Sequence, residues 1–261
     1  MVRIGEHDPG SMIVLFTDFG LTGPYMGQVK AVLHRQAPEV NIVNLFADLP
    51  PYDPRAAAYL LPAFVEEFPA GTVFLCVVDP GVGGKRAPGV LKAGGRWYVG
   101  PDNGLFELIR RRQPGESAWW EITWRPQKLS ATFHGRDLFA PVAARIANGG
   151  ETEGIMRPAE AIRRPDWPDD LAQVVYIDGF GNAVTGIRAA ALSPQAEILV
   201  AGERIRRAVC FSDVSPGTSF WYENANGLVE IAVNQGKANV VLSLTVGTGV
   251  MAASEFMAAN L

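Results

Sequence analysis

Apolar and polar positions in the first half of the chain alternate between two patterns. Met12-Ile-Val-Leu-Phe16 and residues 40–46 and 72–78 are short, nearly continuous apolar runs, as expected of strands buried on both faces. Between them, Tyr25–Gln36 places Met26, Val29 and Leu33 on one helical face, with Pro38 just past the end. Residues 54–68 predict a second helix, in which Pro54 suits the first turn and Ala57, Leu60, Leu61 and Phe64 form a stripe. Residues 90–93 and 97–100 predict a hairpin around Gly94-Gly95. Residues 102–112, capped by Asp102 or Asn103, and 136–148, ended by Gly149-Gly150, predict further helices. Strands alternating with helices argue for an α/β domain over residues 12–156, Rossmann-like, with a mostly parallel sheet wrapped on both faces.

The pattern then changes. Residues 157–170 are proline-rich and charged with little periodicity, and read as a linker. From 171 to 261 the helical period vanishes. Segments 173–178, 183–187, 196–200, 208–211, 227–233 and 239–244 are short and β-like, separated by turn signals such as Pro216-Gly217 and Asn226-Gly227. They predict a small antiparallel β-barrel or sandwich domain.

Bulk properties narrow the function. The length of 261 residues suits one large or two ordinary domains, and the formal net charge is -4. No basic run, zinc spacing or aromatic RNA-binding signature points to nucleic acid, and no apolar stretch reaches membrane-spanning length. Residues 1–11 lack the apolar region of a secretory signal, and Gly5–Ser11 is set aside from the fold as an extension. A cytoplasmic setting fits. Cys76 and Cys210 lie in apolar, strand-like contexts and read as two buried free thiols.

Polar groups gather where the predicted strands end. Asp18 closes the first strand in Phe16-Thr-Asp-Phe-Gly20, either as a turn carboxylate or as an acceptor of ribose hydroxyls. Asp79 closes the third in Val77-Val-Asp-Pro-Gly-Val-Gly-Gly-Lys-Arg86, whose glycines let Lys85 and Arg86 fold back over it. The choice there lies between a structural salt bridge, a reactive cluster and, more weakly, a phosphate loop. His134 lies in Phe133-His-Gly-Arg-Asp137, with Gly135 leaving room for a ligand and Asp137 placed as a helix cap. Ile177-Asp-Gly-Phe-Gly-Asn182 reads as a hairpin turn, but Phe180 at a polar tip suits a stacked purine whose edge Asn182 reads. Asn224-Ala-Asn-Gly227 and Asn234-Gln-Gly236 are further polar turns. His7 and His34 read as leader or surface residues. No His-x-x-x-His or Cys-x-x-Cys pair marks a metal site, and the Gly-x-Ser-x-Gly elbow is missing.

Thr17-Asp-Phe-Gly20, Val78-Asp-Pro-Gly-Val-Gly83, Gly100-Pro-Asp-Asn-Gly104, Phe133-His-Gly-Arg-Asp137 and Asp178-Gly-Phe-Gly-Asn182 occur in this order. In them the chain resembles the S-adenosyl-L-methionine hydroxide adenosyltransferases, adenosine-forming hydrolases related to the fluorinase and chlorinase. The resemblance implies an Asp-Arg-His triad for water at Asp79, Arg86 and His134, and ribose hydroxyls on Asp18. It implies Asp178 at the methionine end and Phe180 and Asn182 at the adenine. Tyr52, Phe133, Asn226 and Gln235 join the substrate-binding set. It also implies a homotrimer with sites at subunit interfaces, and a reaction needing only water, with no cofactor and no metal.

Where the fluorinase pattern has Tyr and Ser, this chain has Asp79 and Gly135, and the fluorinase's extra loop has no counterpart between Arg86 and Trp97. A carboxylate is a costly neighbour for a halide. The expected reaction is therefore attack of water on the ribose 5′ carbon, expelling neutral methionine. Arg86 would stabilise hydroxide character while His134 or Asp79 takes a proton. Alternatives are a non-catalytic adenosine or adenosylmethionine binding protein, a phosphate-ester hydrolase, and an adenosylmethionine-dependent halogenase.

Overall fold

The apolar runs of the first half become the centre of one sheet. The structure is a computed structural model describing residues 2–4 and 12–252. The chain divides into two compact units, residues 1–164 and 165–261. The first unit contains β1 (Val2–Ile4), β2 (Ile13–Thr17), α1 (Tyr25–Gln36), β3 (Ile42–Phe46), α2 (Pro54–Phe64) and β4 (Val73–Val77). These are followed by β5 (Pro88–Ala93), β6 (Arg96–Pro101), α3 (Glu107–Arg112), β7 (Ala118–Ile122), α4 (Ala140–Ala147) and β8 (Thr152–Arg157). The sheet order is β1-β8-β7-β5-β6-β4-β2-β3. Pairs among β3, β2, β4 and β6 are parallel, whereas β5 pairs antiparallel with β6 and β7, and β8 with β7 and β1. The sheet is thus mixed: β5 and β8 run against the other strands.

Alternate residues of the central strands face opposite layers. Ile13, Leu15, Val73 and Leu75 join one core with Val29 and Leu33 of α1 and Val142 and Ile146 of α4. On the other face, Phe16 meets Phe46, which meets Phe64 of α2, each edge to face. The Asp53 carboxylate caps α2 by accepting from the Ala56 N–H at 2.9 Å, and Pro54 occupies the first turn. The helix stops at Phe64, short of the expected 68, soon after Pro62 removes a donor from its ladder. Helix α3 begins five residues later than expected, because Gly104 adopts a left-handed φ of 100°. Asn103 does not cap it; its amide donates to the Val78 carbonyl at 2.8 Å.

Two strands of this sheet, β7 and β8, lie outside the expected pattern, since neither forms a clean apolar run. Val2–Ile4, ahead of the expected domain start at residue 12, pairs with β8 as β1. The segment 5–11, with His7, lies outside the described residues. After β8, Ala159–Ile162 forms a 3-10 turn.

The second unit holds β9 (Leu171–Ile177), β10 (Ala183–Arg188), β11 (Ile198–Val200), β12 (Glu203–Ile205), β13 (Ser219–Glu223), β14 (Leu228–Val233), α5 (Ala238–Val241) and β15 (Val250–Ala252). These strands form an antiparallel four-stranded sheet, β13-β14-β10-β9, and a three-stranded sheet, β12-β11-β15. Neither closes into a barrel among the described residues. Trp221, fully buried, anchors their core and donates its indole N–H to the Ala196 carbonyl at 2.9 Å.

Two expected strands are absent. At 208–211, the Asp213 carboxylate accepts from the N–H groups of Val209 and Cys210, both at 3.1 Å, and curls the chain into a turn. At 239–244 the chain forms the short helix α5 instead. Cys76 is buried as expected, but Cys210, in that turn, is exposed. No helix among the described residues is long and apolar enough to cross a membrane.

A β-carbon at Gly89, on β5, would collide with the indole of buried Trp119 on β7. Gly89→Ala should therefore cost about 1–3 kcal/mol of stability, read as a lower denaturant midpoint at unchanged slope. A wild-type midpoint would mean that Trp119 shifts freely.

Candidate active site

Parallel pairing brings the first two carboxylates together. Thr17 of β2 stands opposite Val77 of β4, so Asp18 and Asp79 emerge at the same carboxyl edge of the sheet. There they border a cleft of about 690 Å³, with Tyr52, Phe133 and His134 on its walls. Burial raises the Asp18 carboxyl above its ordinary range, aided by the charge of Asp79, while the Tyr52 N–H, donating at 3.1 Å, opposes the shift. Tyr52 makes that bond from a left-handed φ of 63° and is itself 78% exposed at the cleft. The ring of Phe133 is fixed edge to face by Phe19 and Tyr25.

The loop after Asp79 turns tightly, with the N–H of Val82 bonded to the Asp79 carbonyl and that of Gly84 to the Gly81 carbonyl. Gly83, at φ 77°, lies so close to the Ala131 carbonyl that a β-carbon would collide with it. This contact joins the loop to the segment carrying His134, and Arg86 spans the two. Its Nε donates to both Asp79 oxygens at 3.0 Å, and its Nη2 lies 2.5 Å from Oδ2 and 2.9 Å from Nδ1 of His134. The pair is well buried, with side-chain exposures of 11% for Arg86 and 5% for Asp79. Lys85 stays exposed and does not join them.

A guanidinium is donor only, so Nδ1 of His134 must accept and the ring proton sits on Nε2. Burial and then the charge of Arg86 lower the His134 pKa. Asp79 and His134 line the cleft; the guanidinium lies behind them, against the Phe139 ring at 5.2 Å. His134 leads into a π-helical turn, Gly135–Phe139, a form frequent at functional sites. Asp137 is not the expected helix cap: its carboxylate binds Arg136 and accepts from the Ser130 N–H at 2.9 Å.

The remaining candidates lie in the second unit. Asp178, Phe180, Asn182 and Gln235 line a second cavity, of about 610 Å³, with Phe180 79% exposed. Asp178 braces its own turn, accepting from the N–H groups of Phe180 and Asn182 at 2.9 and 2.8 Å and from Asn182 Nδ2 at 3.2 Å. Gln235 holds a left-handed φ of 55° at the rim. Asn226 is not brought in; it sits in the turn between β13 and β14, outside the cavity lining. The sequence reading missed Tyr222 and Glu230, which line this cavity from neighbouring strands. Opposed β positions with a carboxylate in an otherwise apolar run, Leu228-Val-Glu-Ile-Ala-Val233, were the available signal.

Among the described residues no group of three or more His, Cys, Asp or Glu side chains could hold a metal ion. The lowered His134 pKa has a defined sign: the folded protein binds this proton less readily than the unfolded chain, so acid below about 6.5 disfavours the fold at this residue. An NMR titration should show a His134 midpoint below that of a free imidazole, moving upward in Arg86→Gln; an unshifted midpoint in both would contradict the Arg86 contact.

Comparison with known proteins matches the chain to the SAM hydroxide adenosyltransferase N-terminal domain over residues 13–156 and C-terminal domain over 172–251. The (R)-S-adenosyl-L-methionine hydrolase of Thermus thermophilus is 40% identical over 90% of this chain and 96% of its own length. An uncharacterized conserved protein of Thermotoga maritima superposes with a TM-score of 0.77 at 31% identity, covering 92% of this chain and 99% of that one. A fluorinase of Nocardia brasiliensis is more distant, 25% identical over 67% of this chain and 71% of its own. The chain belongs to the SAM hydroxide adenosyltransferase family.

Proposed function

We propose that this protein hydrolyses S-adenosyl-L-methionine to adenosine and L-methionine. Family membership and the hydrolase named among its relatives support the reading. The observation that carries it is the Asp79–Arg86–His134 chain of hydrogen bonds beside Asp18 on one cleft.

In this reading Asp18 accepts the ribose hydroxyls, and Tyr52 and Phe133 flank the nucleoside. Water attacks the 5′ carbon as the carbon–sulfur bond breaks, and the departing methionine is neutral, so no acid is needed to help it leave. The difficulty lies with the nucleophile, since bulk water has a pKa of about 15.7. His134 presents its Nε2–H to the water oxygen, which leaves Asp79 as the proton acceptor facing the cleft; the proton then passes to solvent. Arg86 fixes both partners. Holding water in line with the breaking bond contributes up to roughly 7–11 kcal/mol in well-oriented systems. Asp178, Phe180, Asn182 and Gln235 bind the rest of the substrate. The second unit, whose two antiparallel sheets stay open among the described residues, is read as a barrel-like domain. The reading also includes a homotrimer whose sites combine residues of two subunits, with water as co-substrate and no cofactor, points that the family resemblance supports, and a cytoplasmic setting, which fits the sequence.

Incubation with S-adenosylmethionine in halide-free buffer should give adenosine and methionine in equal amounts. Asp79→Ala and His134→Ala should each slow turnover by ~10²–10⁴. Asp18→Ala should act mainly through KM. Substrate that binds but persists unchanged would make this a binding protein, and full activity in both alanine variants would remove the triad.

A further inference from the structure

One of the ordered sequence motifs, Gly100-Pro-Asp-Asn-Gly104, lines neither cavity. Its contacts run instead to the two ends of the loop that carries Asp79 and Arg86. The pairing of β4 with β6 ends at Leu75, and that with β2 at Val77. The carbonyl of buried Val78 lies beyond both ladders and shares its peptide with the Asp79 N–H. Asn103 supplies a donor there, its Nδ2 bonding the Val78 carbonyl at 2.8 Å. The other end of the same amide is engaged too, because Oδ1 accepts from the Leu105 N–H at 3.3 Å. At the far end of the loop, the Asp102 N–H donates to the carbonyl of Ala87, one residue past Arg86, at 2.8 Å. The Asp102 carboxylate is itself tied to Arg164 at 3.0 Å.

Consecutive residues of one turn thus hold both ends of the loop. The loop has little stiffness of its own, since Gly81, Gly83 and Gly84 free its backbone. Yet Arg86 Nε meets both Asp79 oxygens at 3.0 Å. Rotation of the peptide between Val78 and Asp79 would swing the carboxylate away from Arg86 and from the cleft together. We infer that Asn103 is a positioning residue: its amide fixes the peptide that aims Asp79, and through Arg86 the imidazole of His134, so that it governs kcat without touching the substrate. This inference rests on the hydrolase reading.

The test combines steady-state kinetics on S-adenosylmethionine with an NMR titration of His134, in the full-length protein. Asn103→Ala removes the donor without adding charge. It should lower kcat by about ten- to a hundredfold, the scale of a reacting group misplaced by a fraction of a bond length or more. KM should stay within about twofold, because no substrate contact is lost. The His134 midpoint should move upward as the Arg86 guanidinium loosens its hold on Nδ1. Asn103→Gln, which keeps an amide donor on a longer arm, should fall between wild type and Asn103→Ala in both readings. Wild-type kcat in Asn103→Ala, a loss carried by KM, or a lowered kcat with an unmoved His134 midpoint overturns the proposal. If Asn103→Ala does not fold, Asn103→Gln decides by the same readings: lowered kcat at constant KM with a raised midpoint sustains the role, and any other result removes it. If wild type does not turn over S-adenosylmethionine, the hydrolase reading fails separately. The His134 midpoint in the folded variant then decides alone whether Asn103 sets the geometry.

Discussion

The parallel pairing of β2 with β4 is the constraint on which the first unit's chemistry depends. Its register, Thr17 opposite Val77, decides that Asp18 and Asp79 leave the sheet at one edge. Parallel strands need buried faces on both sides, and the two helical layers provide them. The same burial that makes this pairing stable also dries the sheet edge enough to raise the Asp18 carboxyl. Stability and chemistry here share one cause.

Arg86 extends that constraint to the opposite wall. A guanidinium between a carboxylate and an imidazole cannot reverse its hydrogen bonds, so the directions of donation through the three groups are fixed by chemistry alone. Buried ion pairs contribute little net stability, because the desolvation cost offsets much of the attraction. An Arg–Asp pair this buried at a cleft is better understood as a means of orientation. The glycine loop allows it: without the close passage of Gly83 past Ala131, the segment bearing Arg86 would not reach His134.

The sequence showed most clearly what long apolar runs and local turn chemistry decide. Strands β2 and β4, helix α1 and the hairpin of β5 and β6 stand close to their expected places. Strand β7, interrupted by Glu121, and the largely exposed β8 lacked a run to betray them, and α3 started late because a single glycine φ overrode a plausible cap. In the second unit, 239–244 has a strand's composition but follows a turn that winds it into α5. At the site, residues at strand ends were legible, because a carboxylate that stops an apolar run is conspicuous. Glu230 was not. It sits inside a strand, where a lone carboxylate ordinarily marks a solvent face, and only the cross-strand pairing with Tyr222 reveals otherwise. The sorting of candidates into two clefts was equally hidden, since turns such as that of Asn226 look alike in sequence whether they border a cavity or lie beyond it.

The short strand β1 completes the far side of the large sheet by pairing with β8. An open strand edge is a template for another chain, and proteins commonly cover it. Val2–Ile4 do so here along Thr152–Gly154 of β8. The apparent dispensability of the leading segment is therefore deceptive: a shortened chain beginning at the first apolar run would keep every residue of the cleft yet present β8 bare. Its penalty would fall on solubility and self-association rather than on catalysis.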